Sequence, residues 1–318
     1  MTASADLRLA DLRLTDLRLV VLAGKGGVGR TTVAAALARA VAAEGRRVLI
    51  AQTEAADRLA KLFGRAEPVG TTIGALAPGI EAVNMTPKSA IHEYGLMVLR
   101  YETVYRALFE NRAVRGFINA IPGLDAYAML GKVWWHTTET VNGRPRYDLV
   151  ILDGPASGHA TLMLRLPQAI IAAMPNGPLT RDAQAARALL TDPTRTAMVI
   201  VTLPEELPAR ETAELARTAR ESLAIPLGPV VVNAMPSAEL STPDLDGVMQ
   251  RLSAPTGDPE LDATLRMAGG IRAHRRSAEQ MLARLKENPG LPMVLLPRVP
   301  TAELGPEDVE QLAGYLLR

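Results

Sequence analysis

The stretch Gly24-Lys25-Gly26-Gly27-Val28-Gly29-Arg30-Thr31-Thr32 constrains this chain more than any other. It follows an apolar run, LRLVVLA, and leads into RTTVAAALARAVAAEG, which reads as an alanine-rich helix stopped by Gly45. Strand, glycine loop and helix in that order are the frame in which G-x-x-x-x-G-K-[ST] grips phosphate. Glycines let the backbone curl so that several N–H groups converge on one cluster of oxygens, and the helix N-terminus adds partial positive charge. Thr31 supplies a hydroxyl where Mg²⁺ bridges two phosphates. The pattern is broken at one letter: Arg30 stands where it has lysine. Arginine keeps the charge but is longer, planar and forked, so phosphate binding by backbone amides is expected to survive better than hydrolysis.

The rest of the chain repeats the alternation. RRVLIAQT, YDLVILD, AMVIVTL, LGPVVVNA and MVLLP read as further strands. Their valines, isoleucines and leucines run continuously rather than alternating with polar residues, as in strands buried on both faces of a parallel sheet. ARETAELARTARESLA reads as a helix between two of them. The expected fold is α/β, a doubly wound, mostly parallel sheet carrying the P-loop, plus an inserted helical subdomain. Residues 1–14, with their DLRL repeats, read as an N-terminal extension and 15–318 as the P-loop domain. A helical insertion is expected at about 87–142, with its aromatic residues forming a core of their own, and a second, polar helical part at about 236–290.

Asp153 closes the strand YDLVILD, where a carboxylate beside a phosphate loop can hold Mg²⁺ through water. DGPASGHA then reads as a flexible loop containing His159. The chain has no cysteine, which excludes disulfides, cysteine-ligated zinc, iron–sulfur clusters and thiol catalysis. A formal net charge of +1 over 318 residues favours neither nucleic acid nor a membrane surface. With no run of about 20 apolar residues and no signal-peptide core, a cytoplasmic protein without stable membrane insertion is expected.

Five ordered segments carry a family resemblance. GKGGVGRTT is similar to GKGGVGKTT, TEAADRLAKLF to the first switch TDPAHNLSDAF, PGLDAYAMLGKV to a PGLDEA segment, DGPASGH to the second switch DTAPTGH, and PEELPARET to PEEMPVxET. The chain resembles the arsenite-pump and tail-anchored-protein-targeting ATPases, a dimeric branch of the deviant P-loop NTPases, and most of all their bacterial paired-subunit relatives. The resemblance implies an ATPase using ATP and Mg²⁺, with Gly24, Gly26, Gly27, Val28, Gly29, Arg30, Thr31 and Thr32 on the phosphates and Thr31 and Asp153 at the metal. It implies that Lys25 reaches a partner subunit's nucleotide, that Asn233 reads adenine and that Pro300 closes the adenine pocket. It puts Glu54 at the first-switch aspartate that orients the attacking water, one methylene too long. Lys25, Arg30 and Glu54 are therefore the candidate catalytic residues.

Three readings follow. The chain is a dimeric ATPase coupling Mg·ATP to a conformational switch, or a hydrolysis-deficient partner subunit paired with a lysine-bearing paralogue, or a positioning ATPase acting on membrane or DNA. The acidic C-terminal segment TAELGPEDVEQLAGYLLR and the neutral net charge weigh against the third. Partners implied are a second copy or a paralogous subunit, and a protein client at the helical subdomain.

Overall fold

The computed structural model describes residues 17–53, 55, 58–99, 123–155, 157–173, 175–236 and 257–317. The N-terminal repeats and Glu54 lie outside the described residues, as do most of the aromatic side chains of the expected helical insertion.

β1 (Leu19–Ala23) is apolar and buried along its whole length. It sits inside an eight-stranded sheet of order β10-β9-β8-β1-β7-β2-β4-β3. The strands are β2 (Val48–Thr53), β3 (Gly74–Ala77), β4 (Ile80–Met85), β7 (Leu149–Asp153), β8 (Thr196–Thr202), β9 (Leu227–Met235) and β10 (Met293–Pro297). Every pairing in the sheet is parallel except that of the edge strand β3 with β4. The expected α/β fold is therefore what the chain adopts. β4 was not legible as a strand, because Glu81 and Asn84 interrupt its apolar run. A short hairpin, β5 (Thr140–Val141) with β6 (Arg144–Pro145), turns through Asn142 and Gly143, both at positive φ.

Helices cover both faces. On one, α1 (Arg30–Ala43) lies between the sheet and α9 (Pro306–Leu317), and its many alanines let backbone approach backbone. α9 turns Val309, Leu312, Ala313 and Leu316 into this layer, so its apolar face is used internally. A short α2 (Arg58–Leu62) packs here too. The other face carries α3 (Pro87–Leu99), α4 (Leu124–Thr138), α5 (Ser157–Ala173), α6 (Pro178–Thr191) and α7 (Glu206–Thr218). α8 (Pro259–Glu287) buries Ala278, Met281 and Leu285 against β9.

Tyr127, Leu130 and Val133 of α4 join the same cluster as Leu19, Val21 and Val150 of the sheet. The described part of the helical insertion thus shares the sheet's core rather than building a separate one. Tyr127 and the other apolar residues of α4 recur at helical spacing toward the face that the sheet offers. Among the described residues no helix is long and apolar enough to cross a membrane.

Candidate functional site

The parallel strands bring their C-terminal ends to one edge. β7 enters between β1 and β2, while β8 lies on the far side of β1. Chain direction thus diverges at the end of β1, the place where open α/β sheets leave a crevice for ligand. The glycine loop fills that position.

Its curl is set by Gly24, Gly27 and Gly29, at φ 151°, 87° and 92°. At Gly24 a Cβ would lie 2.3 Å from the Val201 carbonyl oxygen, so the loop can run this close to β8 only without a side chain. Gly29 stands immediately before α1, and its own Cβ position is taken by the Asn233 amide. Val28 is buried and Thr32 points into the core, so both anchor the loop from behind. Asn233 donates from Nδ2 to the Val28 carbonyl at 2.9 Å, gripping the outer side of the loop. Pro300 lies exposed beyond β10 and lines no part of the cavity described next.

Arg30, Thr31 and Asp153 meet at one end of a cavity of about 630 Å³ that continues past Gly154, Pro155 and His159 to Met129 and Met163. Thr31 Oγ1 donates to Asp153 Oδ2 at 2.7 Å. The same oxygen accepts from Gln52 Nε2 at 3.0 Å. A hydroxyl and a carboxylate at the head of a helix make a hard-oxygen corner suited to Mg²⁺, which keeps several waters and shares its ligands with substrate phosphates. The residues present therefore fit magnesium. Among the described residues no cluster of three or more His, Asp or Glu could hold an ion.

Arg30, on the same cavity wall, also binds backbone. Its Nη1 donates to the carbonyls of Gly24 and Pro155, each at 2.7 Å. Burial pulls its pKa below the ordinary arginine value, and nearby Asp153 partly offsets this. The expected flexible loop after Asp153 is shorter than its sequence suggests: α5 begins at Ser157, and His159 stands exposed in its first turn. Lys25 pairs within its own chain, with Nζ 3.1 Å from Glu211 Oε1.

Three participants were not singled out from sequence. Gln52 ends the alternation Val48, Ile50, Gln52 with a buried amide, a polar letter in an apolar run that could have flagged it. Thr53 also lines the cavity, and its buried hydroxyl has no partner among the described residues. Glu211 lies inside the PEELPARET segment.

A buried parallel sheet, a glycine loop opening a helix, and a threonine–aspartate corner at the switch point define a P-loop protein of the α/β class. Comparison with known families agrees and is more specific. The model described as anion-transporting ATPase matches residues 17–177, and this chain belongs to that family. It is 33% identical to ATPase BagA of Mycobacterium tuberculosis over 273 residues, covering 80% of this chain and 73% of the relative. It is 29% identical to an arsenical pump-driving ATPase of Escherichia coli over 222 residues, 64% of this chain but 36% of the pump protein. It is 26% identical to ATPase GET3 of Kluyveromyces lactis over 160 residues, 48% of this chain and 45% of that one.

Proposed function

We propose that this chain binds Mg·ATP on the loop 24–32 and works as one half of a cytoplasmic dimer, with a second copy or a paralogous subunit, converting nucleotide binding and slow hydrolysis into a conformational switch. The observation that carries the reading is the Thr31–Asp153 corner at the head of α1, reached by a loop that its glycines curl at that helix N-terminus, where backbone amides can wrap phosphate. Residues 24–32 would hold the phosphates, Thr31 and Asp153 the cation, and Asn233 and Pro300 the base. Lys25 would leave Glu211 for the partner's nucleotide. Glu54 would orient the attacking water. Magnesium held there would supply charge neutralisation for phosphoryl transfer.

A second reading, a hydrolysis-deficient partner subunit, is favoured by one contact. Arg30 Nη1 already serves the Gly24 and Pro155 carbonyls, so that nitrogen is engaged by backbone before any phosphate arrives. Calorimetry with ATP and magnesium, followed by single-turnover hydrolysis on the isolated chain, separates the readings. Tight binding with slow but measurable turnover supports the first. Tight binding with background turnover, restored by a lysine-bearing paralogue, supports the second. Absence of nucleotide binding in every combination overturns both.

A further inference from the structure

β2 and β7 run side by side, with Gln52 in register with Asp153. Side chains alternate along a strand, so Gln52 shares the face of Val48 and Ile50, which pack in the layer under α1. A third apolar residue is the simple choice for that position. Instead there is a primary amide, 1% exposed. Burying an amide is unfavourable unless its polar atoms are paired. Here Nε2 is aimed at Asp153 Oδ2, the oxygen that Thr31 also contacts.

Two donors from two different elements therefore hold one carboxylate oxygen. They stop the carboxylate from rotating and leave Oδ1 as the oxygen available to a cation's water shell. Thr31 is not an independent support, because its hydroxyl oxygen is also the group expected on the cation. Gln52 is the donor not itself expected on the cation.

We propose that Gln52 is a positioning residue for the metal–nucleotide site: it fixes the rotation of the Asp153 carboxylate and so sets the magnesium concentration at which nucleotide binds tightly. The inference rests on reading the loop as a Mg·ATP site. It concerns the side chain behind the carboxylate and not the carboxylate itself.

The test uses the full chain and a fluorescent ATP analogue, titrated with MgCl₂ and, separately, in EDTA. Q52M keeps the length and fills the space without a donor; Q52N keeps an amide but draws it back by one methylene. Supports behind metal-site ligands commonly contribute 10- to 100-fold in metal affinity. Both variants are expected to raise the magnesium midpoint, Q52M by roughly tenfold, while affinity in EDTA stays within about twofold of wild type. A packing role alone would lower the melting temperature and weaken binding equally with and without metal. An unchanged midpoint in folded Q52M and Q52N overturns the proposal, and so does a failure of both to fold, which would make Gln52 a packing residue. Absence of magnesium-dependent binding in the wild type overturns the Mg·ATP reading itself, which is a separate result.

Discussion

Arg30 is tied to Pro155: a single guanidinium nitrogen donates to the Pro155 carbonyl and to Gly24, both at 2.7 Å. The first residue of α1 thereby clamps the start of the glycine loop to the turn that follows β7. A lysine at this position is shorter and ends in one compact, strongly hydrated ammonium, so it does not reproduce an arginine nitrogen held between two carbonyls. Arginine here is thus a structural strut as well as a charge, and it holds the turn after β7 to the glycine loop.

The first prediction follows from that contact. Arg30→Lys should release Pro155 and return a mobile positive charge to the phosphates. Single electrostatic groups in such sites contribute about 100-fold or more to rate. We expect turnover to rise at least about tenfold in single-turnover assays, with ATP affinity changed little because the backbone amides remain. Arg30→Ala, which breaks the strut and supplies no cation, should not raise turnover. Equal or slower hydrolysis by Arg30→Lys would show that the arginine is the better catalyst here.

The six strands read from sequence are continuous apolar runs; burial on both faces accounts for those inside the sheet, while the edge strand β10 keeps its apolar run although Leu295 is exposed. β4 was hidden because two polar residues inside it have tertiary partners that no local pattern reveals. Asn84 exchanges hydrogen bonds with both backbone groups of Ala55, and Glu81 accepts from the Tyr147 hydroxyl. The site shows the same division. The loop, Thr31 and Asp153 are legible because strand-end and helix-start positions are fixed by the chain itself. Gln52 and Glu211 pair with residues distant in sequence, Asp153 and Lys25; the polar letter in β2 could flag Gln52, but only the folded arrangement shows these partners.

The glycines of the loop should separate by what surrounds them. Gly24→Ala places a Cβ 2.3 Å from a backbone oxygen on β8, which cannot move aside. Gly26 has nothing within 4 Å and does not require positive φ. Gly24→Ala should therefore lower the urea midpoint strongly or abolish folding, with a loss above about 2 kcal/mol. Gly26→Ala should stay within about 0.5 kcal/mol of wild type. Gly29→Ala meets the Asn233 amide at 2.2 Å, so adding Asn233→Ala should recover part of the loss and leave the strain at φ 92°. Equal stability across the three single variants would contradict the loop conformation described here.

The Lys25–Glu211 pair offers a test of the proposed dimer. The pair is about one-third exposed on both sides, and the second Glu211 oxygen is buried without a partner among the described residues. A pair this accessible contributes at most about 1 kcal/mol. If Lys25 must leave it to reach a partner's nucleotide, Glu211→Gln should tighten nucleotide-dependent dimerisation by up to about fivefold per site. Lys25→Ala should weaken it. Sedimentation velocity with and without ATP reads both. Weaker association in Glu211→Gln would mean that the carboxylate itself belongs to the interface.

The last prediction concerns acid. His136, on α4, is buried, and its Nδ1 lies 3.0 Å from Glu139 Oε2 while Nε2 has no partner among the described residues. Burial pushes its pKa below the ordinary imidazole value, with Lys132 and Arg146 adding to this and Glu139 opposing it. A neutral ring donating from Nδ1 leaves only an unpaired acceptor inside, whereas an imidazolium would bury an unpaired N–H and a charge. Below about pH 6.5 the unfolded chain protonates this histidine while the folded chain does not, so the unfolded state binds more protons and stability falls as pH falls. Burial alone would raise Glu139, but hydrogen bonds from His136 and Arg146 outweigh it and hold the carboxylate below its usual range, which adds a second loss at lower pH. Urea midpoints should decline from pH 7 toward pH 5.5, with His136 contributing at most about 1.4 kcal/mol per pH unit. His136→Gln should flatten that part of the profile. A slope unchanged in His136→Gln would place the titrating group elsewhere.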